Sequence, residues 1–144
     1  MKLITAIDFS PFTMATLATT ERLLKATHGE AWLIHVAAPD PDFVGMDVGP
    51  ESERNHIAKK LRDEHRKLED LAADLTAKGL KANPLLISGP TSEKLVEQAQ
   101  RLQADLIIMG THGHRPLHDL LTGSVSNAVV RSSKCPVVMV PMTK

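Results

Sequence analysis

Only one cysteine, Cys135, occurs in the chain. No intrachain disulfide can form and no multi-cysteine metal site can assemble, so a reducing compartment, the cytoplasm, is the natural setting. A surplus of either charge is also lacking, because seventeen Lys and Arg balance seventeen Asp and Glu. A duplex-DNA binder displaces counterions with a basic face, and no Lys/Arg cluster stands out here, which argues against nucleic acid as a partner. Apolar runs are short. The opening MKLITAIDFS is broken by Asp8, whereas a secretory signal needs about 7–15 apolar residues. No run approaches the roughly 18 residues that suggest a membrane span. Two phosphate fingerprints are missing as well: there is no GxxxxGK[ST], and no GxGxxG follows the first apolar run.

What is present points to one domain over residues 1–144, long enough to bury roughly 68–70% of the surface its unfolded chain exposes. Lys2–Ile7 reads as a strand. Ser10-Pro11 supplies a helix start, with Ser as cap and Pro at the first helical position. Met14, Leu17, Ala18 and Leu24 outline an apolar face, and Gly29 is the expected stop. Ala31–Ala37 is a second strand, and the Pro- and Gly-containing stretch from Pro39 to Pro50 is a loop. Glu51–Lys78 carries the strongest helical pattern, with Ile57, Leu61, Leu68, Leu71, Ala72 and Leu75 at three-and-four spacing. Glu64 and His65 are expected on its solvated face, and Trp32 in the core.

A third strand contains Leu85–Ile87. Thr91 and Ser92 are candidate caps for a helix whose face is Leu95, Ala99 and Leu102. Asp105–Met109 is a fourth strand, Ser124–Arg131 a short helix, and Pro136–Val140 a fifth strand. Strands that alternate with helices, and that are nearly continuous apolar runs, imply an α/β fold with a parallel sheet covered by helices on both faces. Ligands of such sheets bind beyond the carboxyl ends of the strands, where the strand order reverses.

The stretch Gly110–Ser124, GTHGHRPLHDLLTGS, follows the fourth strand at that end. Glycines let main-chain N–H groups approach an anion closely, and a helix N-terminus adds its own N–H groups. The alternative is a set of turn glycines with Ser124 as an ordinary cap. His112, His114 and His118 match no standard zinc spacing. Thr111-His112-Gly113-His114 has the form T-x-G-H of adenylyl-transferring enzymes, but those carry it after the first strand. His35, inside a strand, reads as a packed, hydrogen-bonded histidine. Asp8 has two readings, as a ligand group and as a turn residue.

The pattern Gly110-x2-Gly113-x9-Gly123-Ser124 resembles the nucleotide motif of the universal stress protein family, in its ATP-binding branch. Ile107-Ile108-Met109-Gly110, Leu120-Leu121-Thr122-Gly123-Ser124-Val125 and Cys135-Pro136-Val137-Val138 agree with it. So do Asp8-Phe9-Ser10 and His35-Val36, and the likeness spans essentially the whole chain. It implies an open five-stranded parallel sheet of order 3-2-1-4-5. The implied cofactor is ATP, with Mg2+ or Mn2+ carried by its phosphates and no metal ligand from the protein. Asp8 would hydrogen-bond the nucleoside near the adenine and ribose, the main chain of Val36 would read the adenine edge, and Ser10 would also belong to the nucleotide-binding residues. Gly110, Gly113, Gly123 and Ser124 would surround the phosphates, Val125 and Ser126 would open the helix behind them, and Met109, Thr111 and His114 would complete the nucleotide-binding residues. The likeness also implies a homodimer through the fifth strand (Val137, Val138, Met139 and Val140), an unidentified protein partner, and at most slow hydrolysis.

Two positions depart from the family pattern. Gly89-Pro90-Thr91 places proline one residue early after the third strand, and position 114 is His where Lys or Arg is frequent. His114 and Arg115 would then share the phosphate charge, and His makes that pH dependent. The competing readings are a dimeric interaction module that binds no nucleotide, and an ATPase or adenylyl transferase.

Overall fold

A strand buried on both faces must be apolar along its whole length, and a central parallel strand has helices on each side. The computed structural model describes residues 1–37, 51–111 and 124–141. Along the chain these form β1 (Lys2–Ala6), α1 (Thr13–Thr27), β2 (Glu30–Ala37), α2 (Glu51–Ala77) and β3 (Lys81–Ser88). They continue with α3 (Thr91–Leu102), β4 (Leu106–Gly110), α4 (Ser124–Ser132) and β5 (Val137–Val140). The sheet is ordered β3-β2-β1-β4-β5, and every pairing is parallel. This is the α/β architecture and strand order expected from the sequence. Pro84 lies within β3, an edge strand, where a missing N–H is tolerated.

Successive residues of the inner strands alternate between two cores. Ile4, Ile34 and Ile107 pack with Leu95 and Ala99 of α3 and Val129 of α4. Leu33 packs on the opposite side with Leu17 of α1 and Leu68, Ala72 and Leu75 of α2. Leu3 and Ile108 meet Leu24 on that same side. Two helices therefore cover each face of the sheet.

The buried face of α1 differs from the apolar face expected. Met14 is 69% exposed and Ala18 is also exposed, while Thr13, Thr16, Leu17, Thr20 and Leu24 turn inward. For Thr20 the reason is polar matching with β1, and for Thr16 a bond within its own helix. The buried hydroxyls of Thr5 and Thr20 bond each other at 2.8 Å. Those of Thr16 and Thr20 donate to the carbonyls of Phe12 and Thr16, both at 2.9 Å. Helical threonines satisfied in this way can be buried without an orphaned hydroxyl. Thr20→Val, which strands the Thr5 hydroxyl, is expected to cost about 1–3 kcal/mol. Thr5→Val/Thr20→Val should recover most of that, because both polar groups go together. Urea denaturation of the two single variants and the double variant reads the coupling; additive losses would refute it.

The helix ends also differ from expectation. Ser10 lies before the cap of α1, which is Phe12; its hydroxyl accepts the Phe12 N–H at 3.2 Å, and its carbonyl accepts the Thr13 N–H at 3.0 Å. The left-handed residue that ends α1 is His28, not Gly29. Gly29 is needed for space, since a Cβ there would collide with the Met1 carbonyl oxygen. Pro90 holds the cap position of α3, so Thr91 and Ser92 fall inside the first turn. At the far end of α1, Glu21 accepts from Lys25 at 2.6 Å and Lys78 at 2.7 Å. These bonds, Lys25 first, hold its carboxyl below the usual carboxylate range.

Candidate functional site

Strand order reverses between β1 and β4, so the crevice at their carboxyl ends is the natural ligand position. The described residues that meet there are the turn after β1, the end of β2 and the end of β4.

The turn after β1 is built by a left-handed residue. Phe9 has φ 56°, a conformation that costs an L-residue roughly 1–2 kcal/mol. It turns the chain so that Asp8 Oδ1 accepts the Ser10 N–H at 3.0 Å. Asp8 is exposed and Ser10 buried. Asp8 therefore shapes the turn, which is the second of its two sequence readings, while its carboxylate stays accessible.

Strained residues that persist are over-determined by their surroundings, and here those surroundings are specific. The Phe9 ring packs on the His35 imidazole, with centroids 4.6 Å apart and planes at 49°. The Lys67 ammonium lies 5.7 Å from the Phe9 ring centre. His35 is buried, and its Nδ1 lies 2.7 Å from the Ile7 carbonyl oxygen. Because a carbonyl only accepts, Nδ1 carries the proton. The packed, hydrogen-bonded reading of His35 holds.

Behind the ring stands Glu64, whose side chain is only 17% exposed and whose Oε2 lies 3.5 Å from His35 Nε2. At that separation no hydrogen bond is formed, and this oxygen is buried with no hydrogen-bond partner among the described residues. The expectation that Glu64 belongs to the solvated face of α2 is thus corrected. The signal was present, since Glu64 sits between Leu61 and Leu68 on the apolar stripe itself. Only His65, 48% exposed and 3.8 Å from Glu69, stays on the outer face. Trp32 is half-buried against the α3 and α4 core, with its indole N–H buried and unpartnered among the described residues.

The end of β2 contributes main chain. Pairing of β1 with β2 runs from Lys2↔Glu30 to Ala6↔Ile34, and the Ile7 N–H then donates to the Ile34 carbonyl at 2.8 Å. Val36, two residues on, belongs with Met109 to the core under α3 and α4. Both can therefore meet a ligand only through their backbone. At the end of β4, Gly110 lies against Phe12: a Cβ there would sit 2.9 Å from Phe12 Cβ. The Thr111 N–H donates to the Val140 carbonyl at 3.1 Å, so this amide belongs to the sheet.

At the start of α4, Ser124 and Val125 are exposed and Ser126 is buried. Gly113, His114 and Gly123 lie outside the described residues, as do His112 and His118. Among the described residues no helix is long and apolar enough to cross a membrane.

Similar proteins have this architecture. Universal stress protein MJ0531 of Methanocaldococcus jannaschii is 29% identical over 147 residues, covering 99% of this chain and 83% of its own. The structure of hypothetical protein MJ0577 superposes with a TM-score of 0.82 at 28% identity, over 99% of this chain and 96% of that one. A universal stress protein solved in complex with cAMP shares the fold at 19% identity, with a TM-score of 0.68 over 99% and 98% of the two chains. The universal stress protein family pattern matches residues 1–141. Whole-chain similarity and a matching strand order lead to one conclusion: this chain belongs to the universal stress protein family.

Proposed function

We propose that the chain binds ATP in the crevice at the carboxyl ends of β1, β2 and β4 and acts as a nucleotide-dependent regulatory or protective module, with at most slow hydrolysis. The observation that carries this reading is the convergence there of main chain without obstructing side chains. Val36 turns its side chain away, Gly110 contributes main chain alone with Phe12 packed against its Cα, and the Phe9 turn holds Asp8 and Ser10 at the same edge. In this reading the Val36 main chain meets the adenine edge and Asp8 the ribose. Gly110, Gly113, Gly123, Ser124, Val125 and Ser126 hold the phosphates, with His114 beside them and Mg2+ or Mn2+ entering on the phosphates. Oriented amides can hold an anion without a fixed cationic side chain. In another protein the same fold holds cAMP.

The described edge strand β5 offers Val137, Val138 and Met139, each half-buried, for pairing with a second copy. Pairing would protect an otherwise open apolar edge. A partner would then read the surface that bound nucleotide orders, by a shift in population.

Equilibrium binding of labelled ATP to the purified protein tests the reading. Saturable binding is expected. At a ligand concentration about 100 times Kd, linkage stabilises the fold by about 2.7 kcal/mol, which raises Tm by about 5–10 °C for a domain of this size. No saturable binding up to millimolar ATP, with no thermal shift, would reject it.

A further inference from the structure

A regular parallel ladder continues by alternation. After the Ile7 N–H bonds the Ile34 carbonyl, the next rung would join the Val36 N–H to the Ile7 carbonyl. That rung is not made. The Ile7 carbonyl is taken instead by His35 Nδ1–H at 2.7 Å, and β1 leaves the sheet through the left-handed Phe9. A side chain has replaced a main-chain donor, and β1 leaves the Val36 N–H without its ladder acceptor.

The ring that does this is fixed from several sides. Phe9 packs on its face, and Glu64 stands 3.5 Å from its far nitrogen. Lys67 lies over Phe9, while β3 brings Leu86 to the paired position. Held in this way, the imidazole has one orientation, with Nδ1–H on the Ile7 carbonyl.

We propose that His35 is a positioning residue for the nucleotide: by occupying the Ile7 carbonyl, its imidazole keeps the Val36 N–H and C=O open at the β2 edge for the paired donor and acceptor of an adenine ring. The ligand in this inference rests on the nucleotide reading above, whereas the missing rung does not. Adenine presents a ring nitrogen acceptor beside an amino donor. Guanine presents an acceptor and a donor in reverse order at those two positions, so an open Val36 main chain discriminates between them.

Two variants separate the parts of this claim. His35→Leu removes the donor, and the Ile7 carbonyl is then free to capture the Val36 N–H. His35→Asn places an amide N–H where Nδ1 stood and should keep the rung open. In the nucleotide-free protein, NMR coupling from the Ile7 carbonyl carbon to the Val36 amide nitrogen should be absent in the wild type and in His35→Asn. It should appear in His35→Leu, with amide exchange at Val36 slowed about tenfold. Such a coupling in the wild type overturns the proposal whether or not any variant folds, and so does an unchanged Val36 in folded His35→Leu.

With nucleotide, the wild type and His35→Asn should prefer ATP to GTP. His35→Leu should lose about tenfold in ATP affinity, the scale of one net hydrogen bond, together with that preference. A folded His35→Leu that retains the wild-type ATP-to-GTP ratio overturns the positioning role, because general loosening would weaken both nucleotides alike. Wild-type protein that binds neither overturns the nucleotide reading, and the ligand assigned here with it, even where the coupling result is as expected.

Discussion

Leu68→Ala should cost about 2–5 kcal/mol and lower Tm by roughly 10 °C, while Leu61→Ala, about two turns earlier on the same helix, costs about 1 kcal/mol. Both leucines lie on the apolar stripe of α2, and composition alone does not rank them. Leu68 is fully buried and packs with Ile7, Leu17 and Leu33 under the carboxyl end of the sheet. Deleting its methyl groups leaves a cavity walled by a strand and a second helix, which cannot close around it. Leu61 is only half-buried, so its truncation opens onto solvent and leaves no sealed void. Thermal and urea unfolding of the two variants measure the contrast. Equal losses would mean that the whole length of α2 is packed alike, contrary to the burial described.

Gly110→Val is expected to cost about 3 kcal/mol, and Gly110→Ala about 1–2 kcal/mol, through overpacking and not through lost backbone freedom. Gly110 is not among the glycines with positive φ. Its requirement is space, because a Cβ would meet Phe12 Cβ at 2.9 Å and Cγ at 3.2 Å. Phe12 cannot move aside cheaply. It is buried, and its carbonyl accepts both the N–H and the hydroxyl of Thr16 at 2.9 Å, which pins the first turn of α1. Phe12→Gly removes the Cβ that obstructs position 110, at a cost of its own, so Gly110→Ala/Phe12→Gly should cost less than the sum of its parts by about 0.5 kcal/mol or more, the usual size of coupling between touching residues. Additive losses would show that the contact is not what constrains position 110.

The two variants illustrate where local pattern is informative. The α2 helix was legible because its apolar residues repeat over many turns, and β1, β2, β4 and β5 because their runs are apolar and bounded. The buried face of α1 is not legible in the sequence, for a physical reason. Threonine scores as polar in a periodicity count, yet Thr16 and Thr20 lose nothing on burial when their hydroxyls bond to the preceding turn and to Thr5. Glu64 is illegible in the same way: a carboxylate reads as solvent-facing until the structure supplies a histidine across the interface. Gly29 reads locally as a helix stop, whereas its requirement is space, because the approach of the Met1 carbonyl has no local signature.

By itself the sequence determined the class of fold, the succession of strands and helices, and the spacing of the glycines after the fourth strand. Each of these is written in short-range order: the period of the apolar residues, and the places where a side chain is missing. Tertiary structure alone decided that Ile7, Phe9, His35 and Glu64, far apart along the chain, form one cluster at the edge of the crevice. The right-handed crossovers between parallel strands bring those positions together. The distance between a ring nitrogen and a carbonyl oxygen follows from how three elements dock, which no spacing along the chain encodes.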